Sequence, residues 1–222
     1  MEININSVYK SYGKKKVLNN LSLTASSGDC IGIIGKNGTG KSTLLSTLAG
    51  VIMPDKGSFM INDKDAFSDD VVRMKQVAYV PQGTPLIEEL SALDNLKMWY
   101  EKSVLTESLE NGFLKLLGID EFLNVNVNKM SGGMKKRLSI GCAINNDPSV
   151  LLLDEPTAAL DIVCREAIYS YFKAFRENGG ILILATHEAA EIAKCTKCYI
   201  LKDGGLEPYT YTGTISDLLS RI

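Results

Sequence analysis

Eight residues in the first quarter of the chain, Gly35-Lys36-Asn37-Gly38-Thr39-Gly40-Lys41-Ser42, constrain its fold more than any other stretch. They satisfy the spacing G-x-x-x-x-G-K-[ST] at every fixed position. The apolar run Cys30 to Ile34 before them reads as a buried strand, and Thr43 to Gly50 after them reads as a helix stopped by glycine. A strand, a tight glycine loop and a helix start make an anion site. Backbone N–H groups converge on phosphate oxygens, and the helix N-terminus adds partial positive charge. Lys41 is then placed to reach the β- and γ-phosphates of a nucleotide, and the Ser42 hydroxyl to hold Mg²⁺. The candidate nucleotide-contacting set from this stretch is Gly35, Lys36, Asn37, Gly38, Thr39, Gly40, Lys41, Ser42 and Thr43.

At 222 residues the chain fits one large domain, or one domain with an inserted subdomain. A net charge of −2 gives no footprint for nucleic acid, so no nucleic-acid partner is expected. The short basic clusters Lys14-Lys15-Lys16 and Lys135-Lys136-Arg137 read as solvated faces. The chain opens Met1-Glu2-Ile3-Asn4-Ile5, without the pattern of a signal peptide, and its longest apolar runs are too short to span a bilayer. A cytosolic protein, soluble by itself, is the expectation. The five cysteines, at 30, 142, 164, 195 and 198, argue against a disulfide framework. Cys195-Thr196-Lys197-Cys198 has redox or metal spacing but no second pair, and reads as incidental cysteines at a helix–strand junction.

Residues 2–25 alternate polar and apolar side chains, which suggests antiparallel strands with one buried face. Gly57 to Ile61 and Val77 to Val80 read as further strands. Leu93 to Trp99, Glu107 to Leu117 and Glu121 to Leu123 read as helices, with Gly118 as a stop. Val150 to Leu153 and Ile181 to Ala185 are continuous apolar runs, as parallel strands covered on both faces require. Cys164 to Glu177 between them reads as a crossover helix. The expected class is α/β, with a core over 1–83 and 146–222 and a helical insertion over 84–145.

Two further clusters carry chemistry. Val150 to Leu153 runs into Asp154-Glu155, which beside a phosphate loop places one carboxylate for the Mg²⁺ shell and the other as general base on water. Met130-Ser131-Gly132-Gly133-Met134 opens a helix with an N-capping serine and makes a second anion site. One nucleotide held by the first loop cannot easily use both sites within one chain.

In order, these motifs resemble the nucleotide-binding subunit of ATP-binding cassette transporters, from Tyr12 to His187. Its compact form, and the segment after Gln82 that runs into Leu93-Asp94-Asn95-Leu96, look most like ATPases of bacterial multidrug or antibiotic-type exporters. The resemblance implies a P-loop NTPase core with an antiparallel β subdomain and an inserted α-helical subdomain. It implies that Tyr12 stacks on adenine, with Tyr9 as the nearby competitor, and that Gln82 contacts Mg²⁺ or water. Ser131, Gly132 and Gly133 would bind the γ-phosphate of the partner subunit's ATP, and Asp161 would cross the dimer interface. His187, the only histidine, matches the switch residue near the γ-phosphate, with Lys41, Glu155 and His187 forming the catalytic set.

The common form of the signature is Leu-Ser-Gly-Gly-Gln; here Met130 and Met134 replace its first and last residues. Methionine keeps the apolar volume at the first position but removes a hydrogen-bonding amide at the last. The implied partners are ATP with Mg²⁺, a second ATPase subunit (the same or a different chain) and transmembrane permease subunits, which would hold this chain at the inner face of the membrane. Leu86 and Ile87 are candidate permease contacts, with ordinary helix packing as the alternative. A cassette ATPase of DNA repair or translation, and a regulatory nucleotide-binding module without turnover, are the competing readings.

Overall fold

The computed structural model describes residues 1–222, the side chain of Ile215 excepted. The chain begins with β1 (Glu2–Tyr12) and β2 (Lys15–Ser26), an antiparallel pair with Ile3, Ile5, Leu21 and Leu23 on the buried face. Next come β3 (Cys30–Ile34), α1 (Lys41–Leu48), β4 (Lys56–Ile61), β5 (Lys64–Asp65), α2 (Asp70–Gln76) and β6 (Val77–Val80). Between β6 and β7 (Val150–Asp154) lie α3 (Ala92–Lys97), α4 (Lys102–Glu110), α5 (Phe113–Leu116) and α6 (Gly132–Ala143), with two short 3₁₀ turns at Ile119–Phe122 and Val127–Lys129. The chain closes with α7 (Ile162–Glu177), β8 (Ile181–Ala185), α8 (Ala189–Ile192), β9 (Lys197–Lys202), β10 (Gly205–Tyr209) and α9 (Ile215–Arg221).

The strands form two sheets. One is antiparallel, in the order β2-β1-β4-β5; the other runs β10-β9-β3-β8-β7-β6, parallel except for β10. Every residue of β3, β7 and β8 is buried, because helices or the other sheet cover both faces. One core packs Ile5, Leu21, Ile33 and Leu152 between the two sheets and α1. A second packs Leu151, Leu153 and Leu184 against the inserted helices and α7, whose Ile168, Tyr171, Phe172 and Phe175 recur at helical spacing on its inner face.

The register fixes the site. Ile33 pairs with Ala185, and Asp154 pairs with the same Ala185 from the other side. The carboxyl ends of β3, β7 and β8 are therefore level, so the segments that follow, starting at Gly35, Glu155 and Thr186, emerge side by side. That is where parallel α/β sheets bind ligands.

The α/β class with an antiparallel sheet, expected from the motif order, is the observed one, but several local expectations change. The helix expected over Glu107–Leu117 is two helices, broken at Asn111-Gly112. Gly112 adopts an extended backbone (φ −103°, ψ −160°), and a Cβ there would sit 2.8 Å from the Ser108 Cα, so the chain turns where glycine permits it. The Glu121–Leu123 helix is a 3₁₀ turn beginning at Ile119. β9 and β10, absent from the periodicity reading, extend the parallel sheet beside β3. Lys135-Lys136-Arg137 is not a solvated face. Lys136 is buried and donates to the carbonyls of Pro81 and Gln82, at 3.0 Å each, while Arg137 lies over the Phe122 ring. Leu86 is half-buried against the helical core rather than exposed; Ile87 is exposed.

Candidate nucleotide site

A cleft of about 420 Å³ lies at the carboxyl ends of the central strands. Its lining gathers Tyr12 from β1, Asn37, Gly38 and Gly40 to Thr43 from the loop and helix start, Gln82 after β6 and Glu155 after β7, while Gly35, Lys36 and Thr39 lie outside it. Tyr12 lies in this lining and Tyr9 does not; the Tyr12 ring is half exposed, with Lys10 Nζ 5.8 Å from its centroid. Lys15 and Val17, at the start of β2, complete the wall and were not marked by any sequence motif.

The glycine loop takes its shape from two left-handed residues. Gly38 has φ +79° and Gly40 φ +112°, a region that L side chains rarely adopt. At Gly40 a Cβ would also stand 2.7 Å from Val17 Cγ1, so β2 presses on the loop where only glycine fits. Thr39 Oγ1 donates to Lys36 O at 2.9 Å and braces the turn. Lys41 is buried in the first turn of α1, and its Nζ donates to Gly35 O at 2.7 Å and Lys36 O at 3.2 Å. Burial pushes its ammonium pKa down, against the pull of the Glu155 and Asp154 carboxylates.

Asp154 ends β7 and is buried; Glu155 follows it and is mostly covered. Burial pushes the Asp154 carboxyl up, the nearby Ser42 hydroxyl draws it down, and Glu155 pushes it up again, with a net rise. Glu155 is held in a left-handed backbone (φ +48°), and its N–H donates to Ala185 O at 2.9 Å. That turn aims its carboxylate away from the strand. Gln82 Nε2 donates to Glu155 Oε2 at 3.2 Å, and His187 Nδ1 lies 3.1 Å from Glu155 Oε1. Residues from three separate segments thus meet on one carboxylate.

The donor set beside the cleft, a serine hydroxyl and a buried carboxylate, consists of hard oxygens. It fits Mg²⁺, which is typically held by one or two carboxylates together with substrate phosphates and water. Among the described residues no group of three or more His, Cys, Asp or Glu side chains forms a protein-only metal cage.

The serine–glycine segment lies elsewhere. Ser131, Gly132 and Gly133 do not line this cleft. Ser131 caps α6, accepting from Met134 N at 3.2 Å, and Gly132 is exposed. Gly133 packs on the start of α7, where a Cβ would meet Cys164 Sγ at 2.2 Å. Asp161 caps α7 by accepting from Cys164 N at 2.9 Å, and that bond holds its carboxyl below the usual range. The two capped helix starts are therefore neighbours, joined through Cys164.

Cys195 follows α8 and Cys198 lies in β9, at the helix–strand junction expected for them. The structure adds Cys30, whose Sγ is 3.8 Å from that of Cys195; all five cysteines are free thiols.

Lys136, Thr157 and Glu191 support this site without having stood out in the sequence. Lys136 was hidden in a basic run. Glu191 carried a signal, since it is a charge on the same short helix turn as the buried Ile192, but only the fold gives it a partner: Thr157 Oγ1 donates to its carboxylate.

Among the described residues no helix is long and apolar enough to cross a membrane. Comparison with known proteins agrees with the geometry. The sequence profile of the family described as ABC transporter matches residues 18–158. The chain is 34% identical over 209 residues to Nod factor export ATP-binding protein I of Bradyrhizobium diazoefficiens, covering 92% of this chain and 68% of that protein. It is 30% identical over 220 residues to linearmycin resistance ATP-binding protein LnrL of Bacillus subtilis, covering 97% and 70%. The dimeric structure of a post-hydrolysis state of the ATP-binding cassette MJ0796, bound to ADP and Pi, superposes with a TM-score of 0.80 at 28% identity. That match covers 92% of this chain and 96% of the other. With a phosphate loop, an Asp-Glu strand end and a histidine meeting at one cleft, and with these relatives, the chain belongs to the ABC transporter family of ATP-binding cassettes.

Proposed function

We propose that this cassette pairs head to tail with a second one, closes on two ATP molecules, and by hydrolysing them drives export through separate membrane subunits. The direction rests on relatives named for Nod factor export and linearmycin resistance. This chain spans about two thirds of their length. The observation that carries the pairing is the separation within one chain. The phosphate-loop cleft holds Lys41, Gln82 and Glu155, while the exposed start of α6 at Ser131 and Gly132 lies outside it. A second copy would bring its own Ser131, Gly132 and Gly133 to this cleft. The related MJ0796 cassette is a dimer with ADP and Pi.

In this reading Tyr12 stacks on the base, and the amides from Gly35 to Thr43 cradle the phosphates with Lys41 against the terminal ones. Ser42 and Asp154, with Gln82 alongside, would hold Mg²⁺, which would supply positive charge beside the phosphates. Glu155 takes the proton of the attacking water, and His187, 3.1 Å from it, steadies both the carboxylate and the phosphoryl group. Asp161, one helix cap away from Gly133, lies at the surface the partner covers. ATP binds both halves of the closed state and one half of the open state, so it shifts the population towards closure. In the cell the subunit would sit at the inner face of the membrane, docked through the groove where Leu86 and Trp99 lie together.

The test is to tag the chain, solubilise membranes gently and identify what co-purifies. A polytopic membrane protein in near-equal amount is expected. Recovery of ribosomes or DNA-repair proteins without any membrane protein would keep the ATPase and remove the transport role.

A further inference from the structure

We propose that Glu191 is a positioning residue for ATP hydrolysis: through Thr157 its buried carboxylate ties the segment carrying Glu155 to α8, the helix that follows His187. The inference rests on the roles proposed for those two residues. Thr157 lies two residues after Glu155, and Thr186 immediately precedes His187. Thr157, Thr186 and Glu191 are all buried, at 0%, 1% and 1% exposure.

The contacts run across the gap between the two segments. Thr157 Oγ1 donates to Glu191 Oε1, and Tyr169 OH stands 3.4 Å from the same Thr157 oxygen. Thr186 Oγ1 accepts from Glu188 N at 3.0 Å, which braces the turn between His187 and α8. Burial raises the Glu191 pKa, and the hydroxyls of Thr157 and Thr186 lower it part of the way back. Glu191 Oε2 has no hydrogen-bond partner among the described residues. A carboxylate kept almost wholly out of water with one oxygen unpaired is costly, and an apolar side chain would fill the position more cheaply. Its presence there points to a role beyond packing.

That role follows from the backbone it anchors. Glu155 at φ +48° and Ala159 at φ +58° flank Thr157 and both hold left-handed conformations. Such backbone persists only where the surroundings over-determine it. The Glu155 N–H to Ala185 O bond fixes one end of the turn. The Thr157–Glu191 bond fixes the middle, and does so from α8, the helix that begins after His187. One side chain thus sets the distance between the carboxylate of Glu155 and the imidazole of His187. Gln82, the other group on Glu155, follows β6 and bonds the carboxylate alone, so it gives no such coupling.

The experiment uses the full chain in its ATP-hydrolysing assembly. T157V keeps volume and removes one hydroxyl; E191A removes the anchor; E191Q keeps an acceptor oxygen for Thr157. T157V and E191A are expected to lower kcat about 10- to 100-fold with the ATP dissociation constant unchanged, as a small misplacement of reacting groups does. The double variant should be no worse than E191A alone, because both break one contact. E191Q should recover most of kcat. E155Q serves as the control for the underlying reading: if it hydrolyses ATP at the wild-type rate, the assignment of the base fails, whatever Glu191 does. If E155Q is inactive while folded T157V keeps full kcat, the positioning role alone is overturned. A T157V protein whose ATP affinity, melting temperature and kcat all fall together would make the Thr157–Glu191 pair part of the general core, and would also overturn it.

Discussion

His187 Nδ1 lies 3.1 Å from Glu155 Oε1. The imidazole is exposed while the carboxylate is 12% exposed, so the pair joins a solvent-facing ring to a shielded carboxylate. A glutamine in place of Glu155 keeps the size and the bonding positions but cannot take a proton. Glu155→Gln is expected to lower turnover at least about 100-fold, leave ATP binding intact and trap an ATP-dependent dimer. Phosphate release and size-exclusion chromatography with and without ATP check both halves; a wild-type rate would remove Glu155 as the base.

Lys41 holds two loop carbonyls from a buried position. Its removal takes away the brace of the loop and, in the proposed reading, the cation that meets the phosphates. Lys41→Ala is expected to weaken ATP binding by about 1.5–3 kcal/mol, or roughly 10- to 150-fold. Calorimetric titration of ATP measures it directly, and unchanged affinity would contradict the loop assignment.

Gly132 and Gly133 are adjacent but differ in surroundings. A Cβ on Gly132 meets nothing within 4 Å, whereas one on Gly133 meets Cys164 Sγ at 2.2 Å. Gly133→Ala should therefore destabilise the single subunit by about 1–3 kcal/mol through overpacking. For a chain of this size that lowers Tm by about 2–4 °C per kcal/mol. Gly132→Ala should leave Tm unchanged and yet abolish the ATP-trapped dimer in the Glu155→Gln background, because its methyl obstructs only a partner's nucleotide. An intact dimer with Gly132→Ala would argue against the head-to-tail arrangement.

Asp29, in the turn before β3, accepts from Lys197 Nζ at 2.7 Å, Ser26 N at 2.9 Å and Thr196 Oγ1 at 3.0 Å. Partial burial pushes its carboxyl up, but the Lys197 ammonium and these donors outweigh it, so its pKa lies below the ordinary 3.8. A depressed carboxylate stabilises the fold above the unfolded pKa, and the contribution fades as pH falls through the lower folded value. Asp29→Asn is expected to cost about 1 kcal/mol at neutral pH, since the ion pair is partly exposed. The Tm difference from the wild type should persist at pH 5 and shrink below about pH 3.8. A difference independent of pH would assign the loss to packing.

Much of this protein is decided by local sequence. The glycine loop, the strands at 30–34, 77–80 and 181–185, and the helix ending at Asn178-Gly179-Gly180 announce themselves, because each depends on short-range periodicity or on glycine at a fixed offset. The split between α4 and α5 escapes periodicity, since the apolar spacing continues across Asn111-Gly112 while the backbone does not. β9 and β10 carry mixed side chains and become strands by pairing with β3 and with each other. Only the tertiary structure could bring Glu191 to Thr157, Lys136 to the carbonyl of Gln82, or Gly133 to Cys164. Those contacts join residues 31 to 54 positions apart, and no local spacing encodes them. The sequence names the candidate groups for chemistry because their types are unusual at their spacing. The groups that hold them in place are ordinary threonines, lysines and glutamates, and their roles exist only once the level ends of β3, β7 and β8 set their neighbours.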